Sequence, residues 1–151
     1  MTTSYGDYII TTDKGSFFPE QIHQWLSTES YWCKNIPFEV VQKSIEHSFC
    51  IGVIREAEQV GFARLITDYA TFGYLADVYV KEEYQGKGLS KKMMDVLLNL
   101  DWVKGLRRIS LATLDAHGLY EQYGFTLPKF PDRLMEITRP QIYEGKEKET
   151  A

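Results

Sequence analysis

The chain has 151 residues, 44% of them hydrophobic and 25% charged, the content of a soluble domain with one substantial core. Its formal net charge of -4 excludes a nucleic-acid binder that relies on a broad basic face, and no stretch approaches the ~18 uninterrupted apolar residues of a membrane span. Two cysteines, Cys33 and Cys50, stand too few and too far apart for a CxxC redox pair or a zinc cluster, so both are read as reduced, buried thiols and no metal is expected.

The N-terminus, MTTSYGDYII, lacks the basic and apolar regions of a secretory leader, which makes the expected location cytoplasmic. "DYIITT" then reads as a first strand. "SFFPEQIHQWLS" offers Ser16 or Pro19 as a helix start and puts Ile22, Trp25 and Leu26 on one helical face. The polar stretch "STESYWCKNIP" interrupts as a loop carrying Tyr31 and Trp32. "PFEVVQKSIEHS" resumes the helical spacing, with Pro37 in the first turn and Phe38, Val41 and Ile45 three or four residues apart.

Three strand candidates follow in a row: "SFCIGVIRE", "EQVGFARLITD" after a turn near Ala57 and Glu58, and "TFGYLADVYV". Gly61 marks a bulge or close packing in the middle one, and the three read as an antiparallel meander. "LSKKMMDVLLNL" predicts a core-facing helix from about Gly88, with Leu89, Met93, Val96, Leu97 and Leu100 on its stripe. "RRISLATL" reads as a buried strand, "AHGLYEQY" as a short helix stopped by Gly124, and "RLMEIT" as a last strand. The polar end, residues 144–151, buries nothing and reads as a tail on a single domain spanning 1–143. Strands and helices in this order imply a mixed sheet with helices on both faces.

"VYVKEEYQGKGLSKKMM" concentrates residues that a packed core does not ask for. A Gly-x-Gly between a strand and a helix exposes backbone N–H groups where the helix dipole adds positive potential, which suits an anion. Lys87, Lys91 and Lys92 strengthen that reading, since lysines in a first helical turn oppose the dipole unless a negative ligand offsets them. A Walker A loop would need Ser or Thr after Lys87, where Gly88 stands. A Rossmann fingerprint would need a third glycine where Lys91 stands.

The segment "LADVYVKEEYQGKGLSKKMM" resembles the acetyl-CoA pyrophosphate loop of the GNAT acetyltransferase superfamily, whose pattern is Q/R-x-x-G-x-G/A. Gln85, Gly86, Lys87, Gly88, Leu89 and Ser90 occupy it, with the small Ser90 where Gly or Ala is usual. "LATLDAHGLYEQYGF" resembles the family's later segment, in which an alanine and a tyrosine precede a terminal Gly-Phe and Thr113 takes the place of a frequent Asn. The whole is most similar to small bacterial members. The resemblance implies an α/β (α+β) fold, a mixed and mostly antiparallel V-shaped sheet flanked by helices on both faces. Its fourth and fifth strands, here Tyr74 to Val80 and Arg107 to Thr113, would splay around acetyl-CoA.

The resemblance further implies that backbone groups of Val78, Tyr79 and Val80 pair with the pantetheine arm and that amides from Gln85 to Ser90 hold the pyrophosphate. Thr113 and His117 would contact the cofactor, with His117 also a candidate base. Tyr120 matches the usual general acid, a phenol with a pKa of ~10 able to protonate a thiolate of comparable basicity, while Tyr123 reads as core. An amine arrives protonated, and Asp77 is its candidate base or, equally, a structural hydrogen-bond acceptor, because a carboxylate inside "YLADVYV" needs a partner. Asp115 reads as the cap of the following helix. Tyr31 and Trp32 are the candidate acceptor-pocket walls, with Asp68 and Tyr69 as further ones.

The function implied is transfer of an acetyl group from acetyl-CoA to a primary amine of a small molecule by direct attack in a ternary complex. The alternatives are a non-catalytic acyl-CoA binding or sensing module and a protein N-terminal or lysine acetyltransferase. No nucleic-acid or membrane partner is expected; members of the resembled family often form homodimers, and an exposed last strand would give an edge for one.

Overall fold

The computed structural model of the chain describes residues 1–145, so the expected tail lies outside the described residues from 146 onward. A hairpin of β1 (Thr2–Tyr5) and β2 (Tyr8–Thr11) opens the chain and is followed by α1 (Pro19–Thr28) and α2 (Phe38–Glu46). The meander β3 (Phe49–Arg55), β4 (Glu58–Thr67) and β5 (Phe72–Val80) comes next. Then come α3 (Leu89–Leu98), α4 (Asp101–Lys104), β6 (Arg108–Leu111) and α5 (His117–Glu121).

One six-stranded sheet runs in the order β1-β2-β3-β4-β5-β6, antiparallel throughout except for the parallel pair β5 and β6. Helices cover both faces, as the alternation of the strands requires. On one face Ile51, Val53, Ala63, Leu65 and Leu75 pack with Leu89, Met93, Met94 and Leu97 of α3 and with Tyr120 of α5. On the other, Cys50, Ile54, Phe62 and Tyr79 pack with Ile22 and Leu26 of α1 and with Val41 and Ile45 of α2. Pro19 starts α1, and the four-residue spacing of Ile22 and Leu26 buries its inner stripe.

Two strand expectations are corrected. Thr2–Tyr5 forms a strand although none of its residues is buried; it is an edge strand with no apolar face to mark it. Arg133–Thr138, expected as a last strand, is not one. Pro131–Arg133 makes a single 3-10 turn and the rest is irregular and exposed. β6 is also shorter than expected and half-buried rather than buried.

Among the described residues no helix is long and apolar enough to cross a membrane, and no group of three His, Cys, Asp or Glu side chains is placed to hold a metal ion. Cys33 and Cys50 are free, buried thiols.

Candidate functional site

β5 and β6 stay paired only from Phe72 and Arg108 to Leu75 and Leu111. Beyond that point β5 runs on to Val80, still paired with β4 through Tyr79 to Phe62 and Val80 to Gly61, but among the described residues with no strand on its other side. The residue that interrupts it is Asp77. The register between β4 and β5 shifts between Phe62 and Arg64, where Ala76 faces Arg64 and Tyr79 faces Phe62, so β5 carries an extra residue there. Asp77 has φ of 55°, a left-handed conformation that Asp adopts more readily than most residues. This is a β-bulge, which bends a strand and re-aims its side chains.

Both oxygens of the Asp77 carboxylate are engaged. Oδ2 accepts from Arg64 Nε at 2.6 Å and Oδ1 from the indole Nε1 of Trp32 at 2.8 Å. Arg64 in turn donates through Nη1 to Ser48 Oγ at 3.0 Å. The pair lies mostly out of water, where a carboxylate without its countercharge would be costly.

Through Trp32 the bulge reaches the loop between α1 and α2. Trp32 lies 5.8 Å from Trp25 and meets Tyr31 edge-on at 5.0 Å, while Trp25 stacks on Tyr79 at 4.1 Å with the rings nearly parallel. The Tyr79 hydroxyl is buried without a hydrogen-bond partner among the described residues, and its ionisation is pushed well up, by burial first and by Asp77 second. Tyr143, half-buried, packs against the α1-side cluster that includes Cys33 and Tyr79, and its phenol is pushed up, chiefly by burial.

Tyr120 projects from α5 into the other core and is buried. Burial pushes its phenol up, with a smaller contribution from Tyr31. Gly124, with φ of 93°, ends the turn behind α5, and Phe125 packs edge-on against Tyr120 at 5.8 Å. Tyr123 packs half-buried against this core, as expected, and its hydroxyl lies within reach of two acceptors on α3, the Lys91 carbonyl at 2.9 Å and Asp95 at 2.8 Å; burial followed by Asp95 pushes it up to about 12.

At the far end of the unpaired edge lies the glycine loop. Glu58 anchors the approach, accepting from Lys81 at 2.6 Å and from the Tyr84 hydroxyl at 2.7 Å. Gln85 Nε2 donates to the Val80 carbonyl at 2.9 Å, fixing the loop to the end of β5. Gly86 and Gly88 have φ of 79° and 78°, a conformation that costs glycine nothing and turns successive N–H groups the same way. Among the described residues the N–H groups of Gly86, Lys87 and Gly88 donate no backbone hydrogen bond. α3 starts at Leu89 with no capping side chain and no acidic residue in its first turn. Leu89 is buried as the first core residue of α3, and Ser90 follows it half-exposed. Lys87, Lys91 and Lys92 pair with no carboxylate among the described residues; Lys92 lies over the Tyr5 ring at 5.0 Å.

Val78 and Val80 point their side chains to the α3 face and Tyr79 points to the α1 face, leaving backbone along the gap. Thr113 is already occupied: its hydroxyl accepts the Ala116 N–H at 3.0 Å, so Thr113 rather than Asp115 secures the start of α5. His117 is exposed on the first turn of that helix. Asp68 and Tyr69 are not brought to the gap. Asp68 accepts from the backbone of Ala70, Thr71 and Phe72 and from the Thr71 hydroxyl, closing the β4–β5 hairpin at the opposite end of β5 and holding its own carboxyl well below the usual range.

Arg64, Trp25 and Tyr143 belong to this neighbourhood, and sequence reasoning assigned none of them to the site, reading Trp25 only as part of a helical face. For Arg64 the signal was present: an arginine inside "GFARLI" needs a buried counter-ion as much as Asp77 does.

Three comparisons bear on this arrangement. The model of the Acetyltransferase (GNAT) family matches residues 19–125. A crystal structure from Xanthomonas campestris pv. campestris, of a provisional acetyltransferase belonging to the GNAT family, is 48% identical with a TM-score of 0.88, covering 91% of this chain and 96% of that one. A Gibberella zeae protein provisionally named an acetyltransferase is 33% identical over 76% of each chain, and the thialysine N-epsilon-acetyltransferase of Bos taurus is 34% identical over 43% of each.

Proposed function

The chain belongs to the acetyltransferase (GNAT) family, and from that membership we propose that it transfers an acetyl group from acetyl-CoA to a primary amine of a small molecule within a ternary complex. The observation that carries this reading is continuous: the unpaired edge of β5 from Ala76 to Val80 leads directly into a loop of uncommitted amides. A pantetheine-like chain needs such an edge, and a pyrophosphate needs such a nest. Gly86 to Ser90 would hold the diphosphate, with Gln85 bracing the loop through its side chain rather than touching the ligand with it. Acetyl-CoA supplies an acyl group already activated as a thioester.

Tyr120 keeps its proton at neutral pH, since burial raises its pKa, and no hydrogen bond within the described residues commits its hydroxyl. It is the general acid of the proposal. Asp77, its charge fixed in place by Arg64 and Trp32, attracts a cationic amine and still has lone pairs to receive the amine proton, directly or through water. Trp32 presents aromatic surface beside Asp77, with Tyr31 packed against it, and such faces attract cations. The similarity to a thialysine acetyltransferase supports amino acids with a side-chain amine as the first acceptors to try.

The test is thiol release from acetyl-CoA across a panel of diamines, polyamines, amino acids and peptide N-termini. Turnover on a small amine, reduced about a hundredfold or more in Tyr120→Phe, is the expected result. Binding of CoA with no turnover on any amine would leave an acyl-CoA binding module instead, and preference for peptides would make it a protein acetyltransferase.

A further inference from the structure

A cavity of about 310 Å³ lies open between β1 and α3, away from the gap beside β5. Thr3 pairs with Ile10 across the opening hairpin, so Thr3, Tyr5 and Ile10 share the face turned to the helix. Opposite them run Lys92, Val96 and Asn99, four and three residues apart on α3, with Leu100 just past its end. Val96 and Leu100, expected on the core stripe, are only half-buried, because the stripe that enters the core is Leu89, Met93, Met94 and Leu97. The cavity therefore has an apolar floor. Its size is at the small end of ligand pockets, ~300–1,000 Å³.

The rim carries one cation and one anion. Lys92 and Asp95 stand about one helical turn apart, close enough to pair, yet no ion pair joins them. Lys92 lies over the Tyr5 ring at 5.0 Å, and Asp95 is met through Oδ1 by the Tyr123 hydroxyl at 2.8 Å, which leaves Oδ2 without a partner among the described residues. Tyr5 also ties the cavity to the glycine loop, its hydroxyl donating to the Lys87 carbonyl at 3.1 Å.

We propose that this cavity is a second ligand site, taking an α-amino acid with an aliphatic side chain, and that its occupation weakens diphosphate binding at the glycine loop. An α-amino acid holds carboxylate and ammonium on one carbon, so the first reaches Lys92, the second reaches Asp95, and the side chain enters toward Ile10, Val96 and Leu100. A simple carboxylate or a simple amine meets only one of the two charges. The bound carboxylate also neutralises Lys92 and draws it from the Tyr5 ring, removing positive potential from the turn that would hold the diphosphate. The weakening rests on the proposed role of that loop; the amino-acid site does not.

Calorimetric titration of the full chain with L-leucine should show a single site. Isocaproate and isopentylamine, which keep the side chain and one charge each, should bind about tenfold more weakly or worse. Asp95→Asn, which keeps an acceptor for Tyr123, should weaken leucine about tenfold and leave isocaproate unchanged, a split that a merely structural Asp95 would not produce. Thr3→Trp, at an exposed position of an edge strand, should fill the cavity and abolish leucine binding. Saturating leucine should raise the Kd for CoA about fivefold, and CoA should raise the Kd for leucine by the same factor. Neither heat nor a melting shift with leucine, isoleucine or methionine, equal affinity for the one-charge analogues, or leucine binding untouched by both variants would overturn the site; a Kd for CoA indifferent to bound leucine would overturn the coupling. A chain that binds leucine but no CoA would fault the acetyl-transfer reading and leave the site standing.

Discussion

Asp77 occupies a position where several demands coincide. Its backbone must accept φ of 55°, its carboxylate must balance Arg64, and its other oxygen must orient Trp32. Asn also tolerates that backbone and keeps an acceptor for the indole, so Asp77→Asn removes the charge with little else. It leaves the Arg64 guanidinium without a countercharge, which should lower stability by about 2 to 4 kcal/mol. If Asp77 also draws and deprotonates the amine, kcat/KM falls by about a hundredfold or more while CoA still stabilises the protein against heat. A variant that loses stability but keeps kcat/KM within about threefold would return Asp77 to a purely structural role. Tyr120 supports a separate prediction at the same scale. Burial raises its pKa, so its protonated, acid-competent form persists through neutral pH and is lost only above the ordinary ~10 of a tyrosine. The alkaline limb of kcat should therefore lie above pH ~10 and vanish in Tyr120→Phe; a limb near pH ~8 would assign the acid to another group.

The glycine loop acts as one element, joined to β5 by Gln85 and to the first strand by Tyr5, whose hydroxyl donates to the Lys87 carbonyl at 3.1 Å. Saturating CoA should raise the melting temperature by ~5 to 10 °C at about a hundred times Kd. Gly88→Glu should abolish that rise, because a carboxylate then sits among amides that would bind an anion. Gly88→Asn, tolerated at positive φ and with open space around its Cβ apart from the Tyr5 hydroxyl at 3.5 Å, should keep most of it. Equal shifts in wild type and Gly88→Glu would place the diphosphate elsewhere.

This element was legible in the sequence because its chemistry is local: glycines, lysines and the start of an amphipathic helix are contiguous. The meander and α1 to α3 were legible for a similar reason, since apolar period reports a buried face. What was not legible depends on distant partners. Thr2–Tyr5 shows no apolar face, the bulge at Asp77 arises only from register against β4, and Thr113 outcompetes Asp115 at α5 by geometry. "RLMEIT" has a strand's pattern but pairs with no edge among the described residues.

Across the whole molecule, two cores on either side of one sheet bury acidic protons. Cys33 and Cys50 are each pushed up to about 11, by burial first, and Tyr79 and Tyr120 are raised for the same reason. In each case the folded state favours the protonated form. The unfolded chain releases those protons first as pH climbs, so the contribution to stability is complete below about pH 8.5 and is lost progressively as pH rises toward the folded values. Holding a thiol proton up to about 11 represents roughly 2 to 3 kcal/mol, against a total stability of about 5 to 15 kcal/mol for a domain of this kind. Stability should thus stay level through neutral pH and fall steeply above pH ~9, with thiols inert to aqueous reagents until it does. Urea midpoints measured from pH 7 to 11 read this directly. Cys50→Ala should begin from a lower midpoint, through the cavity it leaves, yet decline less with pH than wild type. A midpoint unchanged to pH 11, or identical slopes in the two proteins, would mean that the thiols ionise without unfolding the chain.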